Sequence, residues 1–343
     1  MKFLIGCEKD FFDFFDSIKP GDRVGILTHI DLDGIASAIF LEKILESKQI
    51  KLEFIDFLEY GAGMFQNSSI KLNEKGITKL FILDLNADVA EADGFENLRK
   101  EFDVFFIDHH PISENLKDYK NILKSESSDC VTLVLNYLAK DYFDVDFLYW
   151  LICPTIVAEW SFRKKEYMDI LEKDYPGITK ETLYNFSCGK IARKINSALI
   201  YYKDNIKKVY DLIKEKDLKS FDEVDKIVQD EIDFCVEKFK KEAEFYPEKN
   251  LYFYYYTPKY NVMSTVVTIL SDGNGIFLFA SDIDDDKIKI SARNNTTDDE
   301  VNLLIRKGIL GLENSTGGGH KRAASGTILK KDLAKFKENL LKS

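Results

Sequence analysis

From Arg23 onward the chain repeats one unit: an apolar run of strand length, a polar turn, then a stretch with apolar residues at helical spacing. The runs are Val24-Gly25-Ile26-Leu27, Leu52-Glu53-Phe54-Ile55, Lys79-Leu80-Phe81-Ile82-Leu83 and Val104-Phe105-Phe106-Ile107. Short apolar runs that alternate with helices predict βαβ units. The expected class is therefore α/β, with a mostly parallel, doubly wound sheet covered by helices on both faces.

Beyond residue 160 the pattern changes. Residues 161–250 are rich in Lys, Glu, Asp and Tyr, with apolar positions at helical spacing, as in Ile206-Lys207-Lys208-Val209-Tyr210-Asp211-Leu212-Ile213. They predict a helical connector between a first domain (1–160) and a second (251–343), and their charges read as a solvated face. The second domain reads as a smaller α+β unit. Its strands fall at Leu251 to Thr257, Gly275 to Ala280 and Lys287 to Ala292, its helices at Val262 to Leu270 and over the last 14 residues. The acidic stretch Asp282 to Asp286 reads as a hairpin tip.

Composition narrows the class. The length of 343 residues suffices for two separately cored domains. The most apolar stretch, Phe147 to Ala158, has only 12 residues and contains Pro154, short of the roughly 20 that a membrane span needs. Met1 to Cys7 imitates a lipoprotein cleavage box, but its apolar core is too short for a leader, so it reads as a mature N-terminus. Five scattered cysteines without Cys-x-x-Cys spacing argue for reduced thiols and a cytoplasmic setting. The net charge of -11 speaks against broad wrapping of long DNA. It leaves room for a short or locally gripped anion, and bound divalent cations would offset part of it.

The candidate chemistry sits where three of the runs end. The first closes on Thr28-His29-Ile30-Asp31-Leu32-Asp33-Gly34, the third on Asp84, the fourth on Asp108-His109-His110. C-terminal ends of parallel strands lie along one edge, where α/β folds place their ligands, so these clusters are expected to converge. Like charges about 4 Å apart cost on the order of 4 kcal/mol at an effective dielectric near 20. Such crowding calls for protonation or for a cation. Three of the four histidines (His29, His109 and His110, but not His320) lie in these clusters, and imidazole with carboxylate and no thiolate suits Mn²⁺, Fe²⁺ or catalytic Zn²⁺. A bridged pair of such ions would support hydrolysis of a phosphate ester.

These motifs resemble those of the DHH phosphoesterases, a family named for the triplet seen here as Asp108-His109-His110. Thr28 to Ser37 is similar to its first motif, Leu83-Asp84 to its second and Ile107 to Pro111 to its third. The resemblance implies ligand roles for His29, Asp31 and Asp84 at one ion and for Asp33, Asp84 and His109 at the other. His110 would contact the scissile phosphate, with Asp108 orienting the histidines. The fourth motif's Asp is matched only by Glu159, one methylene longer. Gly317-Gly318-Gly319-His320 resembles the signature of the DHH-associated domain, and Ser291-Ala292-Arg293 its Ser-x-Arg strand. Arg293, Gly317, Gly318, Gly319 and His320 are thereby expected to bind substrate phosphate.

The His-x-Asp-x-Asp spacing resembles the RecJ-like exonucleases, archaeal ones in particular, more than the family's pyrophosphatases. The expected function is end-directed hydrolysis of single-stranded DNA or short RNA. The expected cofactors are two divalent cations, with Mn²⁺ favoured over Mg²⁺, Co²⁺ or Zn²⁺. No membrane partner is expected; a homo-oligomer or a replication or repair partner remains open. Two alternatives stand beside this reading. One is a hydrolase of small substrates such as 3′-phosphoadenosine 5′-phosphate or dinucleotides; the other is a non-catalytic DHH scaffold in a replication or repair complex.

Overall fold

The computed structural model describes residues 1–59, 63–113, 116 and 120–342. The chain divides into two compact units, Met1–Asp222 and Glu223–Ser343. Among the described residues no helix is long and apolar enough to cross a membrane.

The strands of the first unit are β1 (Phe3–Ile5), β2 (Val24–His29), β3 (Leu52–Leu58), β4 (Lys79–Leu83), β5 (Asp103–Asp108) and β6 (Ile122–Ser125). They form one sheet in the order β1-β6-β5-β4-β2-β3. Every neighbouring pair is parallel except β1 with β6. The apolar segment near the N-terminus is thus an edge strand.

Its helices are α1 (Glu8–Asp16), α2 (Leu32–Ser47), α3 (Gln66–Glu74), α4 (Ala87–Ala90), α5 (Ala92–Glu101), α6 (Val131–Ala139), α7 (Ile152–Ala158), α8 (Lys165–Asp174), α9 (Ser187–Tyr201) and α10 (Ile206–Lys214). Alternation along the strands divides the unit into two cores. Phe81, Leu83, Phe105 and Ile107 face one core, with residues of α1, α2 and α6. Leu80, Ile82, Val104 and Phe106 face the other, with Leu72, Phe95 and Leu98. Helices therefore cover both faces, as the continuous apolar runs predict.

Helix α2 is buried along nearly its whole length, so it needs cover on the side away from the sheet. Helices α6, α7, α9 and α10 supply it, and Leu171, Ile195 and Val209 join the first core. Residues 161–214 accordingly belong to the first unit, while α11 (Asp222–Glu242) runs into the second. The stretch expected as a connector is divided between the two.

The second unit holds β7 (Glu244–Tyr246), β8 (Leu251–Tyr255), β9 (Ile276–Asp282), β10 (Lys287–Arg293), β11 (Thr316–His320) and β12 (Ala323–Leu329), with α12 (Met263–Leu270), α13 (Val301–Gly308) and α14 (Leu333–Leu341). The sheet order is β11-β12-β10-β9-β8-β7, and only β8 with β9 is parallel. Helices α13 and α14 close its core around Phe336. The C-terminal helix covers nine residues rather than 14, and Ser343 lies outside the described residues.

The sheet that carries the strand ends is anchored by aromatic packing. Phe105 is fully buried, with ring centroids 5.8 Å from Phe11, 5.2 Å from Phe14 and 6.2 Å from Phe81. Phe105→Ala is expected to cost about 3–5 kcal/mol in chemical denaturation of the metal-free protein. A loss below about 1 kcal/mol would show that this core collapses around the gap.

Candidate metal centre

Strand β3 lies on one side of β2 and β4 on the other, so the connections diverge between β2 and β4. This is the switch point at which open α/β sheets form a crevice. His29 is the last residue of β2, and Asp84 follows β4.

The β2–α2 turn is held from within. Asp31 caps α2, its carboxylate accepting a 3.0 Å hydrogen bond from the Gly34 amide. The hydroxyls of Thr28 and Ser37 donate to the Gly34 carbonyl at 2.7 and 2.9 Å. A Cβ on Gly34 would meet the His29 carbonyl oxygen at 2.2 Å, so the glycine permits this close approach. Asp84 is almost fully buried and adopts a left-handed backbone with φ of 55°, which a non-glycine residue reaches at some cost. Its amide donates to the Ile107 carbonyl at 3.0 Å.

The three clusters converge on Asp84. Its Oδ2 lies 3.9 Å from His29 Nδ1, which is 2.7 Å from Asp31 Oδ2. Its Oδ1 lies 3.2 Å from His109 Nε2 and 3.9 Å from His110 Nδ1. Two donor groups result, His29/Asp31/Asp84 and Asp84/His109/His110, each with its ligand atoms within 4.8 Å of one another. Asp84 belongs to both, one oxygen toward each. Asp108, fully buried, accepts from His110: its Oδ1 is 2.8 Å from Nδ1, and its Oδ2 takes the His110 amide at 3.2 Å.

Asp33 is placed differently from the other acids. Its carboxylate accepts from the amides of Val131 and Thr132 at 2.7 and 2.8 Å and from the Thr132 hydroxyl at 2.6 Å. It thereby caps α6, whose own N-cap residue, Cys130, makes no side-chain cap bond. Asp33 joins neither donor group, and neither does Glu159, at the C-terminus of α7.

The charges separate the acids into two kinds. Burial pushes Asp84 well above the usual carboxylate range, and the charges of Asp33, Asp31, Glu159 and Asp108 push it further. Burial, then Asp31 and Asp33, raises Glu159 in the same way, so its carboxylate senses the cluster. Asp33 is also raised, chiefly by burial. Asp31 and Asp108 go the other way. Burial would raise each, but His29 outweighs it for Asp31, and His110 with Lys124 outweighs it for Asp108.

This donor set fits a divalent cation. His109 is buried, yet neither of its ring nitrogens makes a hydrogen bond among the described residues. Imidazole and carboxylate are the ligands offered. The nearby Cys130 thiol is pushed well up by burial and then by Asp33, which keeps it protonated and outside the ligand set.

Lys124 and Asp88 complete the surroundings and were not singled out in the sequence. Lys124 is fully buried, 3.0 Å from Asp108 and 2.6 Å from Asp88. Its signal was a lone lysine in the apolar run Ile122-Leu123-Lys124.

In the second unit, Lys289, Ser291 and Arg293 line a cavity of about 290 Å³ together with Asn261, Ser264, Gly318 and Gly319. The glycine run is a strand, β11, rather than an open loop. A Cβ on Gly317 would meet Ile305 at 2.6 Å and one on Gly319 the Ala323 carbonyl oxygen at 2.5 Å, whereas Gly318 faces open space. Gly317 and His320 do not line the cavity. His320 pairs in register with Ala323, as does Arg293 from the other side.

Residues 23–171 match the model of the DHH family, N-terminal domain. The fold is similar to RecJ from Thermus thermophilus in complex with Mn²⁺, at a TM-score of 0.71 and 15% identity, over 97% of this chain and 53% of that one. It is also similar to an exonuclease RecJ bound to manganese (TM-score 0.69, 16% identity, 97% and 92% of the two chains). CDC45 from Entamoeba histolytica follows (0.62, 11%, 98% and 99%). The chain thus spans about half the length of the Thermus protein. No protein of curated function matches it in sequence. At these identities the likeness establishes the fold.

Two substitutions separate the crowded acid from the one that caps a helix. Asp84→Asn removes the most crowded charge and keeps the shape, so the metal-free variant is expected to have a higher Tm than the parent and to gain less from Mn²⁺. Asp33→Ala leaves two buried amides without their acceptor. It is expected to lose about 1–3 kcal/mol with or without Mn²⁺. Calorimetric scans of both with and without the ion check this; a lower metal-free Tm for Asp84→Asn would contradict it.

Proposed function

Residues 23–171 of this chain are a DHH-family N-terminal domain, and from that premise we propose that the protein is a metal-dependent phosphoesterase that hydrolyses single-stranded nucleic acid from an end. The observation that carries this is the buried Asp84 carboxylate shared by two histidine-containing donor groups at the sheet's switch point. A shared carboxylate between two such groups suits a pair of ions. His29, Asp31 and Asp84 would hold one, Asp84 and His109 the other, with Mn²⁺ the favoured metal. Asp33 and Glu159 lie close enough to add charge to the site. Bound there, divalent cations supply Lewis acidity toward a phosphoryl group and a water.

The protein's own residues do the rest. His110 is engaged at Nδ1 by Asp108, so we assign proton transfer toward the leaving oxygen to its Nε2. Arg293 and Lys289, with the open space at Gly318, offer a phosphate two cations beside bare backbone. A cavity of about 290 Å³ suits one terminal nucleotide. That size also favours the small-substrate reading, in which dinucleotides or a nucleotide bisphosphate are the true substrates. The similarity to CDC45 favours the third reading, a scaffold with a partner in replication. Retention of both donor groups supports the enzymatic one.

Incubation with Mn²⁺ and 5′-labelled DNA and RNA ladders from two nucleotides upward tests the proposal. Stepwise shortening of long strands is expected, abolished in Asp84→Ala and slowed about 10²–10⁴-fold in His110→Ala. Cleavage confined to the shortest species would replace it with the small-substrate reading. No hydrolysis of any species would leave the scaffold.

A further inference from the structure

Strand β6 places a lysine where its neighbours Ile122 and Leu123 are apolar and buried. Lys124 is paired in parallel register with Asp108. Its ammonium has three protons, and three acceptors surround it closely: Asp88 Oδ1 at 2.6 Å, Asp108 Oδ2 at 3.0 Å and the Pro111 carbonyl at 3.0 Å. The His110 carbonyl lies further off at 3.5 Å, and the Phe106 ring backs the cation at 5.3 Å. Asp88 is itself fixed, taking the Ser113 amide at 2.9 Å on its other oxygen.

Stability alone does not call for this arrangement. A buried ion network can often be replaced by apolar residues of similar volume at no loss, and a leucine or methionine would suit this strand. What the lysine adds is geometry. It grips Asp108 by Oδ2, whose Oδ1 holds His110 Nδ1, and it grips the carbonyl directly after His110. The imidazole is thereby located from its side chain and from its backbone at once.

We propose that Lys124, anchored by Asp88, is a positioning residue that sets the orientation of the His110 ring. It touches no reacting atom and acts only through Asp108 and the 110–111 backbone. The inference deepens the phosphoesterase reading and rests on it for its kinetic consequence, though not for its geometry.

The test uses Lys124→Met together with Asp88→Asn, so that Asp88 is not left as an unpaired buried carboxylate while Asp108 keeps His110, and Asp88→Asn alone as the milder variant. With the oligonucleotide substrate and Mn²⁺, the paired variant is expected to lower kcat by about 10–100-fold, the usual cost of removing an orienting outer partner, with KM within about twofold. In a His110→Ala background the same pair of changes is expected to add nothing further, because the residue it positions is gone. Full additivity, or an effect on KM alone, would overturn the assignment. Ring ¹⁵N spectra of the metal-free protein give a reading independent of activity. The His110 Nδ1 resonance is expected to shift and broaden in the paired variant and less so in Asp88→Asn, while His29 is unmoved. An unmoved His110 signal in folded variants rejects the role. If the parent hydrolyses nothing, the phosphoesterase reading falls and the spectra still decide the positioning.

Discussion

Everything near the crevice is arranged around one buried carboxylate. Asp84 stands between strands whose ends carry Asp31, Asp33 and Asp108, with Glu159 arriving from another helix, and burial together with their charges pushes its proton affinity up. Each like-charge contact near 4 Å costs on the order of 4 kcal/mol at an effective dielectric near 20. Such crowding persists only where the frame cannot relax. The frame is a sheet buried on both faces, and Asp84 is fixed in it by a left-handed backbone and a hydrogen bond to the neighbouring strand. The two aromatic and aliphatic cores on either side of the sheet are therefore what keep the carboxylates together.

The acids divide the labour. Asp31 is held by His29 and caps α2; Asp108 is held by Lys124 and by His110; both are depressed. Asp33 is held in another way, by the amides at the start of α6, although burial still leaves it raised. These three orient their surroundings. Asp84 and Glu159 are raised by burial and then by their neighbours' charges, and an ion of charge two would reverse the sign of the local field.

Much of this was legible in the chain because strands buried on both faces must be continuously apolar, and polar residues can interrupt them only where they end. That rule led to the expectation that His29, Asp31, Asp84, His109 and His110 lie along one edge of the sheet, and they do come together there. What was hidden depended on partners distant in sequence. The bonds Asp33 accepts were not legible, because Val131 and Thr132 lie on a different helix. Lys124 looked like a defect in a strand until Asp88 and Asp108 were seen beside it. The charged surfaces of α9 and α10 masked their apolar inner faces, so their attachment to α2, and hence the unit boundary near residue 222, could not be read from composition. The glycine run was recognised, but sequence could not separate Gly317 and Gly319, which packing requires, from Gly318, which leaves space.

Glu159 shows how the same constraint reaches beyond the sheet. It closes α7, one of the helices that cover α2, and Trp160 after it turns left-handed. The acid thus approaches from the covering layer, not from a strand end, near enough for the charges of Asp31 and Asp33 to act on it. Burial and those charges raise its proton affinity. Metal affinity in such a site is tied to proton release and strengthens as pH rises, so the carboxylates that make the crevice costly without a metal are the ones that make it selective for a doubly charged guest.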